Sequence, residues 1–125
     1  MNPLFTVNRL NVSIEQVRIL KDLNFQIGSG TWTGILGPNG SGKTTLLRAL
    51  SGALPYAGEI AYDGRPLKSW KRKELARHLA VLQQAPGISF DFTVEDFVLL
   101  GRMPHKKWLE RDTPVDRERV RRILL

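Results

Sequence analysis

The sequence contains no cysteine and only two histidines, His78 and His105, among its 125 residues. Disulfides and thiolate metal sites are therefore excluded, and a histidine-based metal cluster lacks the ligands it would need. A chain without cysteine fits a reducing cytosol. Long apolar runs are missing too. Phe97-Val98-Leu99-Leu100 is among the longest, far short of the ~20 residues that cross a bilayer. The opening residues, Met1-Asn2-Pro3-Leu4-Phe5-Thr6, lack the basic-then-apolar layout of a secretory signal. Repeats and low-complexity stretches are absent as well. What is present is ordinary in bulk, 42% hydrophobic and 25% charged, as in soluble globular proteins. A chain of this length can bury roughly two-thirds of its unfolded surface, so it is one domain or part of a larger one.

Acidic residues are the scarcer sign: 12 against 19 lysines and arginines, a net charge of +7. The excess lies in residues 68–77 and 102–122, with acidic residues and Trp70 and Trp108 interspersed. A basic balance suits nucleic acid, acidic membrane surfaces or phosphorylated ligands. No nucleic-acid-binding module accompanies this charge, so solvated helix faces are expected and nucleic acid is not an expected partner. The basic stretch 115–125 is likewise read as a subdomain interface with one solvated face.

Strands are expected over residues 4–12 and, broken near Lys21-Asp22, over 14–27. The short apolar run Trp32-Thr33-Gly34-Ile35-Leu36 has the character of a buried parallel strand. A helix is expected over 43–51, with Leu46, Leu47 and Leu50 at helical spacing and Gly52 as its stop. Residues 57–64 read as a strand ending in the turn Asp63-Gly64. Ser69 is expected to cap a short basic helix to residue 77, residues 78–83 to form another strand, and 84–91 a loop. Thr93, with Asp96 three residues on, has the form of a capping box. Residues 102–111 look irregular, and Thr113-Pro114 opens a last helix that runs to Leu125.

Gly37-Pro38-Asn39-Gly40-Ser41-Gly42-Lys43-Thr44 satisfies the P-loop pattern. Glycines let successive backbone N–H groups turn inward into an anion-binding concavity. The helix that follows adds its positive N-terminal end. Lys43 supplies a point charge to the β- and γ-phosphates, and the Thr44 hydroxyl a ligand for magnesium. At ordinary glycine usage the pattern arises by chance in roughly one chain in a few hundred of this length. The flanking apolar strand and amphipathic helix weigh further against chance, and ATP with Mg2+ is the expected ligand.

Residues 37–47, read as GPNGSGKTTLL, resemble the Walker A region of ABC transporter ATP-binding subunits more than that of GTPases or kinases. Lys21-Asp22-Leu23-Asn24-Phe25 is similar to the family's strand ahead of the loop. Gly58-Glu59-Ile60 and Asp63-Gly64-Arg65-Pro66-Leu67 resemble its antiparallel β-subdomain, and Val81-Leu82-Gln83-Gln84 the strand ending at its Q-loop. Thr93-Val94-Glu95-Asp96 and Gly101-Arg102-Met103-Pro104-His105 resemble the start of its helical subdomain. That last run is similar to importers of iron–siderophore, haem and cobalamin complexes.

The resemblance implies an α/β fold. A P-loop NTPase core with its antiparallel β-subdomain would occupy residues 1–87, and the Q-loop exit and start of the helical subdomain 88–125, truncated before the rest. It implies Asn39, Gly40, Ser41, Gly42, Lys43, Thr44 and Thr45 as the phosphate cradle, and Lys43 and Gln84 as catalytic groups. Thr44 and Gln84 would attend magnesium. It further implies a transmembrane permease partner facing residues 85–92, a second ATP-binding subunit, and a cytoplasmic place on the inner face of the cell membrane. Where the family stacks an aromatic ring on adenine this sequence has Ile14, with Val12 and Val17 nearby, a cost of ~1 kcal/mol if a lost stack counts like other aromatic pairs.

Nothing here matches the family's Leu-Ser-Gly-Gly-Gln signature, its Walker B aspartate with the following glutamate, or its switch histidine. His78 and His105 are read as surface or interface residues. The expectation is an ATPase parent whose 125 residues alone bind nucleotide weakly and barely turn it over. The alternative is a binding module without turnover that joins its own kind. A P-loop kinase or GTPase is the third reading, and no Asn-Lys-x-Asp base-reading motif supports it.

Overall fold

A computed structural model describes residues 2–83, 93–107 and 109–125. Contacts divide the chain into two units, Met1–Arg72 and Lys73–Leu125.

The first unit is built on a four-stranded antiparallel sheet of order β2-β1-β3-β4, with β1 Pro3–Ile14, β2 Val17–Gly28, β3 Ala57–Tyr62 and β4 Arg65–Pro66. β1 pairs β2 on one side and β3 on the other. Its buried residues are Phe5 and Val7, then Leu10 and Val12. A strand of strict period two would keep the odd positions inward. An extra residue at Arg9, whose φ is +51°, moves the inward set to even numbers, which is a β-bulge. β2 carries the compensating bulge at Asp22, φ +47°, so that Leu20 and Leu23 both face β1 partners, Val12 and Leu10.

Two asparagines take up the backbone donors that the bulges release. Arg9 N–H donates to Asn24 Oδ1 at 2.9 Å, and Asp22 N–H donates to Asn11 Oδ1 at 3.0 Å. β2 is thus continuous where a break was expected near Lys21-Asp22. Gly58 of β3, φ +95°, lies against the bulge so closely that a Cβ would stand 2.1 Å from the Arg9 carbonyl oxygen.

α1 (Lys43–Leu50) buries Leu46, Ala49 and Leu50 and ends as the sequence implies, with Gly52 at φ +80° and Ala53 N–H donating to the Arg48 carbonyl at 2.9 Å. The Asp63-Gly64 turn has both residues at positive φ and leads into β4. Tyr62 meets Phe5 at a tilt and Trp70 edge-on, with Arg65 4.0 Å above the Trp70 ring.

Two expected strands are not formed. Residues 31–38 and 79–83 have no regular structure, and Trp32, Leu36 and Leu82 are almost wholly exposed. A parallel strand is stable only with ladder neighbours, and among the described residues no strand lies beside these segments. Ser69 does not cap a helix; its hydroxyl donates to the Pro66 carbonyl at 2.7 Å in a 3-10 turn, and α2 (Arg72–Ala76) starts later.

In the second unit α3 (Val94–Leu99) packs on α4 (Pro114–Leu124), and Leu99 and Val120 are buried. Arg117 and Arg121 of α4 reach Glu95 of α3 at 3.6 and 3.5 Å. Residues 100–105, expected to be irregular in part, form a 3-10 segment. Thr93 caps α3, its Oγ1 accepting from Asp96 N–H at 3.0 Å, which is one half of the expected box. The full reciprocal box forms at Thr113 of α4, with Pro114 at the first position.

Asp116, which the sequence reading left aside, is the centre of the second unit's polar network. Arg102 Nε donates to its Oδ1 at 2.9 Å, Lys106 Nζ to its Oδ2 at 2.7 Å, and Thr113 N–H to Oδ2 at 2.9 Å. The Lys106 ammonium, the Thr113 backbone N–H and the Arg102 guanidinium hold this buried carboxyl far below the usual carboxylate range. Burial alone would lower the Lys106 ammonium, but its bonds to Asp112 and Asp116 outweigh that and raise it above 10.5. The Thr-x-x-Asp spacing, already informative at residues 93–96, was the signal for the cap at 113–116.

Candidate functional site

The loop of residues 37–44 leads into α1. Ser41 N–H donates to the Pro38 carbonyl at 3.2 Å, which turns the chain back on itself. Gly40 and Gly42 then take left-handed conformations, φ +83° and +99°. The two glycines differ in purpose. A Cβ at Gly40 would meet nothing within 4 Å, so backbone conformation alone requires glycine there. A Cβ at Gly42 would come within 2.9 Å of Leu20 and 3.3 Å of Ile19, so close packing against β2 excludes a side chain as well.

Gly42 is also the N-cap of α1, and no side chain caps this helix. Leu46 N–H already bonds the Gly42 carbonyl at 2.9 Å. The N–H groups of Lys43, Thr44 and Thr45 have no acceptor among the described residues. No acidic residue stands in the first turn. Half-buried Lys43 reaches across the loop, and its Nζ donates to the Gly37 carbonyl. Asn39, Gly40, Ser41 and Thr44 are exposed, and Thr45 is half-buried.

The result is a concave run of backbone donors at the positive end of a helix, with a lysine ammonium over it. That arrangement binds oxyanions. The donor set suits phosphate oxygens, because there is open space beside Gly40 and no group among the described residues contests the unpaired N–H groups. A cavity of about 390 Å³ adjoins the loop, with Ser41, Gly42 and Lys43 on one side and an apolar wall including Leu20, Leu23, Ile35 and Leu46 on the other. The sequence analysis assigned Leu23, Ile35 and Leu46 to strands and a helix but did not foresee a shared cavity wall, because they come from separate segments.

Ile14 stands apart from this cavity wall. It pairs with Val17 across the Glu15-Gln16 turn, where both turn residues have positive φ, and it is 39% exposed. Gln84 lies outside the described residues, as does the expected boundary at 87/88. Among the described residues no group of three histidine, cysteine, aspartate or glutamate side chains could hold a metal ion. No helix among them is long and apolar enough to cross a membrane.

The ABC transporter family model matches residues 20–124, and the chain belongs to that family. Among curated relatives it is 43% identical over 113 residues to the hemin import ATP-binding protein HmuV of Pseudomonas entomophila, which covers 90% of this chain and 44% of the relative. It is 49% identical over 94 residues to the protein of the same name from Chelativorans sp., covering 75% of this chain and 36% of that one. The chain therefore spans less than half the length of these relatives. A bacterial Atm1-family ABC exporter with ATP bound has the same fold over 90% of this chain and 19% of its own, at a TM-score of 0.73 and 23% identity. The family and the P-loop α/β fold expected from residues 37–47 are thus established.

Proposed function

We propose that the chain is the nucleotide-holding N-terminal part of an ATP-binding subunit that powers haem import. The uncapped N-terminus of α1 beneath Lys43 is the observation that carries this reading. Haem is preferred over siderophore or cobalamin cargo because the relatives cited are hemin import proteins. In this reading residues 39–45 hold the phosphates, and Lys43 exchanges its bond to Gly37 for the β- and γ-phosphate oxygens. Thr44 and Gln84 would hold Mg2+, which supplies charge neutralisation between the β- and γ-phosphates when bound. Ile14 and Val17 would give the adenine apolar contact. Val17 lies three strand residues from Leu20, roughly 10 Å at ~3.3 Å per residue, the span of a nucleoside beyond the phosphates.

The partners in this reading are a transmembrane permease and a second ATP-binding subunit, on the inner face of the cell membrane. Phosphoryl transfer is mainly positioning and charge stabilisation, so the parent hydrolyses ATP and residues 1–125 alone do so hardly at all. The ladder neighbours for residues 31–36 and 79–83 belong to the rest of the parent. The division at 87/88 is retained as the passage from core to helical subdomain. The exposure of Trp32, Leu36 and Leu82 favours a second reading, a module that self-associates without turnover.

The test is equilibrium binding of a fluorescent ATP analogue with Mg2+, wild type against Lys43→Ala, with mass followed by light scattering. Loss of one charge-assisted phosphate contact should weaken binding at least about tenfold. Equal binding by both proteins would refute the assigned cradle. A mass that grows with concentration, with no ATPase activity above the Lys43→Ala control, would favour the second reading.

A further inference from the structure

A second group of cations, built from other residues, gathers around His105 in the second unit. Arg77 Nε donates to the Pro104 carbonyl at 2.7 Å, which fixes that guanidinium beside the exposed His105 and leaves its terminal nitrogens free of that bond. Lys106, the next residue, is tied to Asp116 on α4, as is Arg102. Arg119 stands three residues beyond Asp116, on the same face of α4 and one turn further on. Arg119 is exposed and has no acidic partner among the described residues. The short chain of bonds through Asp116 therefore brings α4, the 3-10 segment and the end of α2 to one place.

Among the described residues, the charges that act on the ring are those of arginines. Asp112 and Asp116 are engaged by Lys106 and Arg102, and Glu74, half-buried one turn before Arg77, is engaged as well. The His105 imidazole lies below its ordinary 6.5 through desolvation and then through the charges of Arg102, Arg77 and Arg119, all positive.

We infer that Arg77, His105 and Arg119 form an anion subsite that takes a phosphate dianion, either inorganic phosphate or the phosphomonoester headgroup of a lipid. Guanidinium groups match phosphate oxygens in pairs. Donors arriving from three elements suit three oxygens of a tetrahedral group better than the two of a carboxylate. This inference does not depend on the haem reading.

Proton NMR of the two histidines tests it, with His105→Gln assigning the signals. Inorganic phosphate should raise the pKa of His105 by roughly half a unit or more over sodium chloride of equal ionic strength, because a bound anion favours the imidazolium. Lys43→Ala should retain the rise, which separates this subsite from the loop. Arg119→Gln, a change at an exposed residue, should abolish it while leaving the His78 signal in place. Co-sedimentation with phosphatidylcholine vesicles, with and without phosphatidic acid, separates the sources. Arg119-dependent binding to the phosphatidic acid vesicles assigns the lipid, and a phosphate shift without it assigns the free ion. An equal rise in chloride, a rise that survives Arg119→Gln, or one lost in Lys43→Ala would overturn the subsite.

Discussion

The N-termini of α1 and α4 solve the same problem in opposite ways. Each leaves backbone N–H groups without helical acceptors. At α4 the chain answers them itself: Thr113 Oγ1 accepts from Asp116 N–H at 3.2 Å, and Asp116 Oδ2 accepts from Thr113 N–H at 2.9 Å. At α1 the cap is a glycine, and the first helical residue is Lys43, a cation at the end where the helix dipole favours an anion. A side-chain cap is worth about 1 kcal/mol, which α1 forgoes. Burial of Leu46, Ala49 and Leu50 holds that helix in place instead. In the proposed function, the end that is locally unfavourable yet firmly packed is the one kept for a ligand, whereas the end closed by its own side chains serves the fold.

Gly42→Ala should break this contrast most severely. The new Cβ would meet Leu20 at 2.9 Å, in a backbone conformation that side chains rarely adopt. The strain should cost about 1–3 kcal/mol in urea unfolding, and nucleotide affinity should fall at least about tenfold as the loop donors move. Unchanged affinity would show that the cradle tolerates a shift at α1, and the distinction between open and closed ends would lose its physical basis.

Next in size is acidification, which acts on the closed end alone. Asp116 has a folded pKa held below the ordinary aspartate value of 3.8. Its contribution is fully present above 3.8 and is lost as pH falls through the lower folded value. Lys106 is shifted the other way, so its contribution is present below 10.5 and fades as pH rises through its higher folded value. The second unit should therefore lose helix below about pH 4 by circular dichroism, and Asp116→Asn should remove much of that dependence while destabilising the unit at neutral pH. An Asp116→Asn protein with the wild-type acid profile would deny Asp116 its central place.

These two helix ends were not equally legible. The open end could be read from residues 37–44 because phosphate binding demands glycines and a lysine at fixed spacing. At the closed end Thr113-Pro114 and the Thr-x-x-Asp spacing made the cap readable, but the ion pairs of Asp116 were not, since its partners Arg102 and Lys106 arrive from a segment without periodicity. The bulges were half visible: inward residues at 5, 7, 10 and 12 betray a change of parity in β1. That Asn24 and Asn11 would answer the freed donors depends on pairing that no local pattern contains. The segment of residues 31–36 misled for another reason. Its apolar composition describes a strand with neighbours on both sides, and composition cannot say whether those neighbours lie within these 125 residues.

The smallest expected effect is the most discriminating. Thr113→Ala removes the hydroxyl that receives Asp116 N–H, while Asp116 keeps its bonds to Arg102, Lys106 and the Thr113 backbone. The cap and the Thr113 hydroxyl's own bond to Asp116 Oδ2 at 3.1 Å should be lost, together about 1 kcal/mol in urea unfolding. Thr113→Ser should restore it, because a serine oxygen accepts in the same position. Nucleotide affinity should be the same in all three proteins, as no ligand contact is assigned to that helix end. If Thr113→Ala weakened nucleotide binding as much as Lys43→Ala does, closing α4 would be part of holding the ligand, and the two helix ends could no longer be assigned separate tasks.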